Sequence, residues 1–123
     1  MELSVKSHFD AAHHLRNYKG KCSRNHGHRW NYAVTIQGDG NHLDKLGMLV
    51  DFSDIKAMMK EIEELLDHND LNTIPPFTSI NPTAENLSKF IFTELKPKIS
   101  ALDGITLKEV AIYESPECSV SYP

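Results

Sequence analysis

The chain has 123 residues, of which 13 are basic and 17 acidic, so its formal net charge is -4 with histidine neutral. This length suits one domain, residues 1–123, with a single core. The acidic balance and the lack of a lysine- and arginine-rich stripe argue against nucleic acid as a partner. No apolar run approaches the roughly 20 residues that span a bilayer, and no signal-peptide core follows Met1. We therefore expect a cytoplasmic protein without a membrane partner.

Two segments near the amino terminus alternate apolar and polar residues, which is typical of half-buried strands. In the first segment, residues 3–11, the apolar residues occupy odd positions, and His13 continues that face. In the second, residues 30–36, they occupy even positions, and His26 and His28 share that face. If both strands bury these faces, three histidines converge at neighbouring strand ends.

A helical pattern follows, with Ser53 as its expected N-cap and an end near Asp67. Its apolar stripe is Ile55, Met58, Met59, Ile62, Leu65 and Leu66. Residues 71–82 contain several Pro and Asn residues and predict an irregular loop. Thr83 is the expected N-cap of a second helix, which Pro97 should end or kink.

The third alternating segment changes parity between Leu107 and Val110. This indicates either a bulge near Glu109 or a strand covered on both faces, and we favour the bulge. A short last strand is expected over residues 118–122. The order of two strands, two helices and two strands predicts an α+β fold whose antiparallel sheet carries the helices on one face.

The three converging histidines suit a metal ion. Imidazole nitrogen is a good zinc ligand, and catalytic zinc sites commonly use three protein ligands and leave a fourth position open. His13, His26 and His28 supply that number. Any single histidine is more often a surface or core residue, and we expect no ligand role for His8, His14 and His42.

Other residues near this strand end have two interpretations each. Cys22 is either a small buried hydrophobe or a reactive thiol, and its loop position before the histidine pair favours reactivity. Asp67 beside His68 either holds a base or marks a helix end, and on its own the second is favoured. Glu114 either faces water or binds adjacent N–H donors of a ligand in bidentate form. We expect Cys22 and Cys118 to be free thiols, because a reducing compartment disfavours a disulfide.

Six sequence blocks carry a resemblance to a known family. The blocks are Phe9-Asp10-Ala11-Ala12-His13, Cys22-x-x-x-His26-Gly27-His28, Val50-Asp51-Phe52, Leu65-Leu66-Asp67-His68-x-x-Leu71-Asn72, Asn81-Pro82-Thr83-Ala84-Glu85 and Ile112-Tyr113-Glu114. Together they resemble the 6-pyruvoyltetrahydropterin synthase and 6-carboxytetrahydropterin synthase family. The resemblance implies the tunnelling fold, a four-stranded antiparallel sheet with two helices inserted between strands 2 and 3. It also implies trimers whose sheets join into a barrel, stacked as a homohexamer with interfacial active sites.

The resemblance implies a role for each matching residue. His13, His26 and His28 match zinc ligands, and Cys22 matches the catalytic thiol. Asp67 and His68 match acid-base partners that reach the thiol across a subunit boundary, Glu114 matches the pterin anchor and Thr83 a second pterin contact. The substrate implied is 7,8-dihydroneopterin triphosphate.

The product is less closely defined by the sequence. Relatives of the folate branch carry a glutamate near the His-Gly-His, whereas this chain has Cys22 and no glutamate between Tyr18 and His28. The short length favours the carboxytetrahydropterin branch of queuosine and other 7-deazapurine synthesis, in which acetaldehyde and triphosphate leave. The alternatives are a 6-pyruvoyltetrahydropterin synthase of tetrahydrobiopterin synthesis, a non-catalytic zinc- or pterin-binding paralogue, and a purely structural zinc site.

Overall fold

Strands and helices of this chain follow one another in a simple order. The computed structural model describes residues 1–123. The elements are β1 (Glu2–His13), β2 (His26–Gly38), α1 (Phe52–Leu66), β3 (Asn69–Asp70), α2 (Ala84–Ser100), β4 (Ile105–Ser115) and β5 (Cys118–Tyr122), with 3-10 turns at Lys21–Ser23 and Leu71–Thr73. Neither helix is long and apolar enough to cross a membrane.

The sheet has the order β3-β1-β2-β4-β5. The four longer strands pair antiparallel, as expected, and both helices come between the second and third of them. The sheet differs from the expected four-stranded one in having a short fifth strand. Strand β3 pairs parallel to the end of β1, with Ala11 opposite Asn69 and Ala12 opposite Asp70. Two residues are too few to show an alternating pattern, so β3 left no signal in the sequence.

The sheet buries the face that the alternating patterns indicated. Odd residues of β1 and even residues of β2 lie in one hydrophobic cluster with the inner faces of both helices. Phe9 and Trp30 stack at its centre with ring centroids 6.3 Å apart. Burying a side chain of that size contributes about 1.5–3 kcal/mol. Leu65 is an exception to the expected stripe, since it is 51% exposed.

The helix ends differ from the sequence interpretation at two positions. Asp51, not Ser53, is the N-cap of α1, and its carboxylate accepts the Ser53 backbone N–H at 2.8 Å. Both residue types cap well, and the extended backbone at Asp51 decides between them. Thr83 caps α2 as expected. Pro97 does not end α2, which continues to Ser100, so of the two expected effects only a kink stays a prediction.

Strand β4 has the expected bulge. Glu109 pairs with Thr35, but Leu107 pairs with the next residue along β2, which leaves Lys108 as the extra residue. The bulge changes which positions face the helices, so that Val110 and Ile112 are buried. It therefore places Glu114, which has the same parity, on the helix-facing side. The two cysteines are free, as expected.

Candidate metal centre

Four potential ligands converge at one end of the sheet. His13 ends β1 and pairs with His26 at the start of β2, while His28 pairs with Ala11. Since strand residues two apart face the same side, the three imidazoles share one face. One ligand atom from each of His13, His26, His28 and Glu114 lies within 4.8 Å of the others.

His13 is held with one ring nitrogen free. It is 2% exposed, and its Nδ1 lies 2.8 Å from the carbonyl oxygen of Pro82. A carbonyl only accepts, so Nδ1 carries the proton and Nε2 keeps its lone pair. That Nε2 is buried without a hydrogen-bond partner. Burial also lowers the pKa of His13, which keeps the ring neutral as a metal ligand requires.

His26 is held in the same way as His13, and His28 completes the set beside Glu114. The Nδ1 of His26 lies 2.7 Å from the Arg24 carbonyl oxygen, which directs its Nε2 away from the backbone. The Nε2 of His28 is 3.1 Å from the nearer Glu114 carboxylate oxygen, but it lacks the alignment of a hydrogen bond. Burial lowers the pKa of His28, although the Glu114 carboxylate acts in the opposite direction.

This donor set fits a metal ion. A buried polar atom without a partner costs about 1–3 kcal/mol, and two such imidazole nitrogens, those of His13 and His28, lie in the same cluster. A cation bound between the rings would satisfy both. Imidazole and carboxylate ligands suit zinc among several divalent metals, and the backbone carbonyls that orient the rings are the usual second shell of such sites.

Trp30 forms the inner wall of this centre. It is fully buried, and its ring centroid lies 4.9 Å from that of His13 and 5.3 Å from that of His28, in edge-on arrangements. A bulky apolar wall limits water on the core side of the ligands. On the side of the centre that is open to solvent lies the half-exposed Glu114.

Two other residues singled out in the sequence lie on loops or helix ends. Cys22 is half-buried in the turn Lys21–Ser23, is not part of the four-residue group, and offers its carbonyl oxygen to the Leu15 N–H at 2.7 Å. Thr83 directly follows Pro82, which contacts His13. Its hydroxyl oxygen accepts the Asn86 N–H at 3.2 Å, which leaves the hydroxyl proton available to a ligand.

Asp67 and His68 form a separate pair. The Asp67 carboxylate lies 2.9 Å from His68 Nδ1 and accepts the Asp10 backbone N–H at 2.8 Å. Both bonds hold the pKa of Asp67 below its usual range, and the bond from the Asp10 N–H has the larger effect. His68 borders an open depression of about 560 Å³ that Asp10 and Arg29 also line. His28 of the metal centre also lines this depression, whereas Asp10, which has the opposite strand parity to His13, faces the other side of the sheet.

Two groups of residues at these sites were not predicted from the sequence. One is the ion pair between Asp10 and Arg29, with contacts of 3.0 and 3.2 Å, beside His68. The other is a set of loop contacts around Pro82. Their only signal was the presence of Asp10 and of Asn81-Pro82 in the recognised blocks, because loop hydrogen bonds leave no periodic pattern.

The fold and the four converging ligands define an α+β domain with a candidate metal centre at one end of its sheet. Residues 2–123 match the family described as 6-pyruvoyl tetrahydropterin synthase. The chain therefore belongs to the 6-pyruvoyl tetrahydropterin synthase family.

Several relatives are similar over nearly their whole length. A 6-carboxy-5,6,7,8-tetrahydropterin synthase of Rickettsia conorii is 33% identical, with 91% of this chain and 92% of that protein covered. A 6-pyruvoyl tetrahydrobiopterin synthase of Dictyostelium discoideum is 32% identical, with 98% and 93% covered. The structure of Caenorhabditis elegans 6-pyruvoyl tetrahydropterin synthase matches with a TM-score of 0.85 at 26% identity and covers 99% of this chain and 94% of that one.

Proposed function

We propose that this protein converts 7,8-dihydroneopterin triphosphate and one water to 6-carboxy-5,6,7,8-tetrahydropterin, acetaldehyde and triphosphate, in a zinc-dependent reaction of queuosine and 7-deazapurine synthesis. The observation that carries the proposal is the convergence of three imidazoles, two of them with a buried and unpartnered Nε2, next to one carboxylate. Relatives named for this activity, at 31–34% identity, support the choice of reaction.

In this proposal the three histidines bind zinc and Glu114 anchors the pterin. When bound, zinc supplies Lewis-acid polarisation of the hydroxyl groups of the substrate side chain. The two oxygens of Glu114 accept adjacent N–H donors of the pterin in bidentate form. The hydroxyl of Thr83 donates a further hydrogen bond to the ring. Together these contacts fix which substrate carbons face the proton-transfer groups.

Cys22 and His68 move protons at the substrate carbons. The thiolate of Cys22 acts as a base at one carbon, and His68 exchanges a proton through Nε2 while Asp67 holds its Nδ1 at 2.9 Å. Asp67 is suited to this task because its depressed pKa keeps it ionised at neutral pH. Its negative charge stabilises the imidazolium that forms when His68 takes up a proton.

Assembly into a homohexamer would bring Cys22 and His68 of different subunits together in one active site. Residues 2–9 of β1 have no strand partner on their outer side, and neither does β5. Unpaired edges of this kind invite pairing between subunits. In the proposed hexamer, the His68 depression of one subunit faces the metal centre of another.

A second product is supported by a specific observation. Relatives named 6-pyruvoyl tetrahydrobiopterin synthase are 32% identical, which is close to the identity of the carboxy-forming relatives. In that alternative the side chain is kept as a dicarbonyl and no acetaldehyde is released.

One experiment separates these outcomes. The purified, metal-loaded protein is incubated with 7,8-dihydroneopterin triphosphate, and the pterin product is identified by mass spectrometry. We expect the carboxy product, acetaldehyde and triphosphate, with all three lost after chelation. A dicarbonyl product would replace the proposal with the alternative, and unchanged substrate would favour a binding protein without catalysis.

A further inference from the structure

The loop that precedes α2 is joined to the end of β1 by side-chain amides. Beyond His13 the chain no longer pairs with another strand. Instead, the backbone of His14 and that of Arg16 are each bonded by one asparagine. Asn72 accepts the His14 N–H at 2.9 Å and donates to the His14 carbonyl at 3.1 Å. Asn81 accepts the Arg16 N–H at 2.8 Å and donates to the Arg16 carbonyl at 3.1 Å.

The two amides imitate a neighbouring strand. Each asparagine bonds both the N–H and the carbonyl group of one residue, as a neighbouring strand would, although Arg16 itself lies in a turn. Each amide supplies one donor and one acceptor in the arrangement that a strand residue would supply. The partners also define the orientation of each amide, because a backbone N–H can only donate and a carbonyl can only accept.

Asn81 is placed to control the carbonyl group of Pro82. The main-chain carbonyl oxygen of Asn81 accepts the Asn86 side-chain amide at 2.9 Å and the Thr83 N–H at 2.9 Å. Asn81→Ala keeps both of these bonds but loses the side-chain bonds to Arg16 that fix where this segment lies. The proline ring fixes φ of the residue between Asn81 and Thr83. The peptide group of Pro82 is thus held on both sides, and its oxygen lies 2.8 Å from His13 Nδ1.

The side chain of Arg16, which lies in the turn after β1, strengthens the same connection. Its guanidinium group donates to the carbonyl oxygen of Phe77 at 2.7 Å and to that of Ile80 at 3.2 Å, with a weaker contact to Asn72 at 3.4 Å. These bonds draw residues 72–80 towards the end of β1. Charge-assisted bonds to carbonyls are stronger than neutral ones, so they resist movement of the loop.

We propose that Asn81, supported by Arg16, is a positioning residue of the metal centre: it holds the Pro82 carbonyl against His13 Nδ1 and so directs the Nε2 lone pair of His13 towards the metal. The inference rests on the proposed function only in that these histidines bind a metal. Groups that orient metal-binding histidines typically contribute about 10–100-fold in metal affinity. The Asn81 side chain does not contact His13 itself but acts through the Pro82 carbonyl. We therefore expect its loss to lower metal affinity by the lower end of that range.

The experiment measures metal affinity without the pterin reaction. Trp30 is the only tryptophan and lies beside two of the ligands, so its fluorescence reports Co²⁺ binding to metal-free protein. We expect Asn81→Ala to bind Co²⁺ about tenfold more weakly than the unmodified chain. The matched control is Asn72→Ala, which loses the equivalent amide pair from the same loop but makes no hydrogen bond to residues 80–83, and should bind Co²⁺ like the unmodified chain.

A second readout needs no metal. In the metal-free protein, nitrogen-15 NMR should show a slowly exchanging His13 Nδ1–H, which Asn81→Ala loses and Asn72→Ala keeps. If Asn81→Ala does not fold by circular dichroism, Asn81→Ser keeps one hydroxyl for the Arg16 N–H and should give an intermediate affinity.

Two results would overturn the inference. Equal Co²⁺ affinities in Asn81→Ala and the unmodified chain would refute it and leave the metal centre intact. Equal weakening by both asparagine variants would mean that the loop contributes only general stability. If the unmodified chain binds no Co²⁺, the proposed metal centre fails as well.

Discussion

The metal centre and the Asp67–His68 pair differ in how much of their geometry one chain supplies. His13 is 2% exposed, and backbone carbonyls orient the rings of both His13 and His26. The side chain of His68, by contrast, is 79% exposed and only Asp67 orients it. A metal ligand must point to one spot within a narrow tolerance, so burial in the subunit's own core suits it. A proton-transfer group that works across a boundary must remain open until the other surface arrives.

The backbone beneath His68 is nevertheless firmly held. His68 adopts a left-handed conformation with φ of 57°, which is unusual for a residue other than glycine. Its N–H donates to the Asp10 carbonyl at 2.6 Å, and Asp67 is bonded to the same residue. Backbone strain that neighbouring bonds maintain is often found at functional sites. The contrast is therefore between a cluster of candidate ligands held by its own subunit and a histidine whose backbone is fixed but whose side chain is uncovered.

Removing a metal ligand should have the largest effect. We expect His28→Ala to weaken zinc binding on the order of a thousandfold, since one of three ligands carries about a third of a binding energy of roughly 10–16 kcal/mol. Turnover should fall to background. Metal content by elemental analysis and Trp30 fluorescence are the measurements. His8→Ala, an exposed histidine on the other face of β1, is the control and should keep its metal. One firmly bound zinc per chain in His28→Ala would contradict the ligand assignment.

Removing the proton-transfer groups should reduce turnover but leave the metal in place. We expect Cys22→Ala and His68→Ala each to lose about 10²–10⁴-fold in kcat, the usual contribution of general acid–base catalysis. Cys118→Ala is the matched control for the thiol because Cys118 is exposed on β5, and it should retain the rate of the unmodified chain. Full activity in Cys22→Ala would end the proposed role of the thiol.

Mixing these two inactive chains tests whether the pair acts across a boundary. If Cys22 and His68 of one active site come from different subunits, coassembled Cys22→Ala and His68→Ala should recover about a quarter of the unmodified rate, because about one random interface in four is intact. As a reference, a chain that carries both substitutions is mixed with the unmodified chain. This mixture shows how far inactive subunits alone lower the rate. Recovery no greater than the sum of the two separate activities would place both groups in one subunit.

Glu114 lies at the metal centre, and its replacement should have a moderate effect. We expect Glu114→Gln to lower kcat/KM about 10–100-fold through KM, because hydrogen bonds to a charged group contribute about 1.5–3 kcal/mol. Co²⁺ affinity should change little if Glu114 binds the pterin. Glu109→Gln, a carboxylate on the opposite face of the same strand, is the control. Loss of Co²⁺ binding with KM unchanged would instead make Glu114 a fourth ligand, as its 3.1 Å distance from His28 permits.

The sequence was sufficient for the strand-borne part of the site. Strand residues obey a period of two, so the shared face of His13, His26 and His28 followed from parity, and the parity change near Glu109 predicted the bulge that directs Glu114 inward. The same rule could not place Cys22, since a loop has no period. The family resemblance, rather than any pattern, suggested what that thiol does.

Loop and cap details could not be predicted for a physical reason. Asp51 and Ser53 are both good N-caps, and the choice depends on where the backbone leaves its extended conformation. The bond between Pro82 and His13 joins residues 69 apart along the chain. Such a contact is decided by how the loop packs against β1, which no local pattern encodes.

The smallest expected effect concerns the ionised carboxylate of Asp67. Its pKa is depressed by the Asp10 N–H and by His68, so its charge stabilises the fold above the ordinary carboxyl pKa of about 3.9 and this contribution is lost as pH falls through the lower folded value. We expect Asp67→Asn to lower Tm by at most a few degrees at pH 7, with the difference shrinking below about pH 4. Thermal melts between neutral and acidic pH measure this, with the exposed Asp103→Asn as control. If the difference in Tm between Asp67→Asn and the unmodified chain stayed constant across the acidic range, the charge of the Asp67 carboxylate would not stabilise the fold.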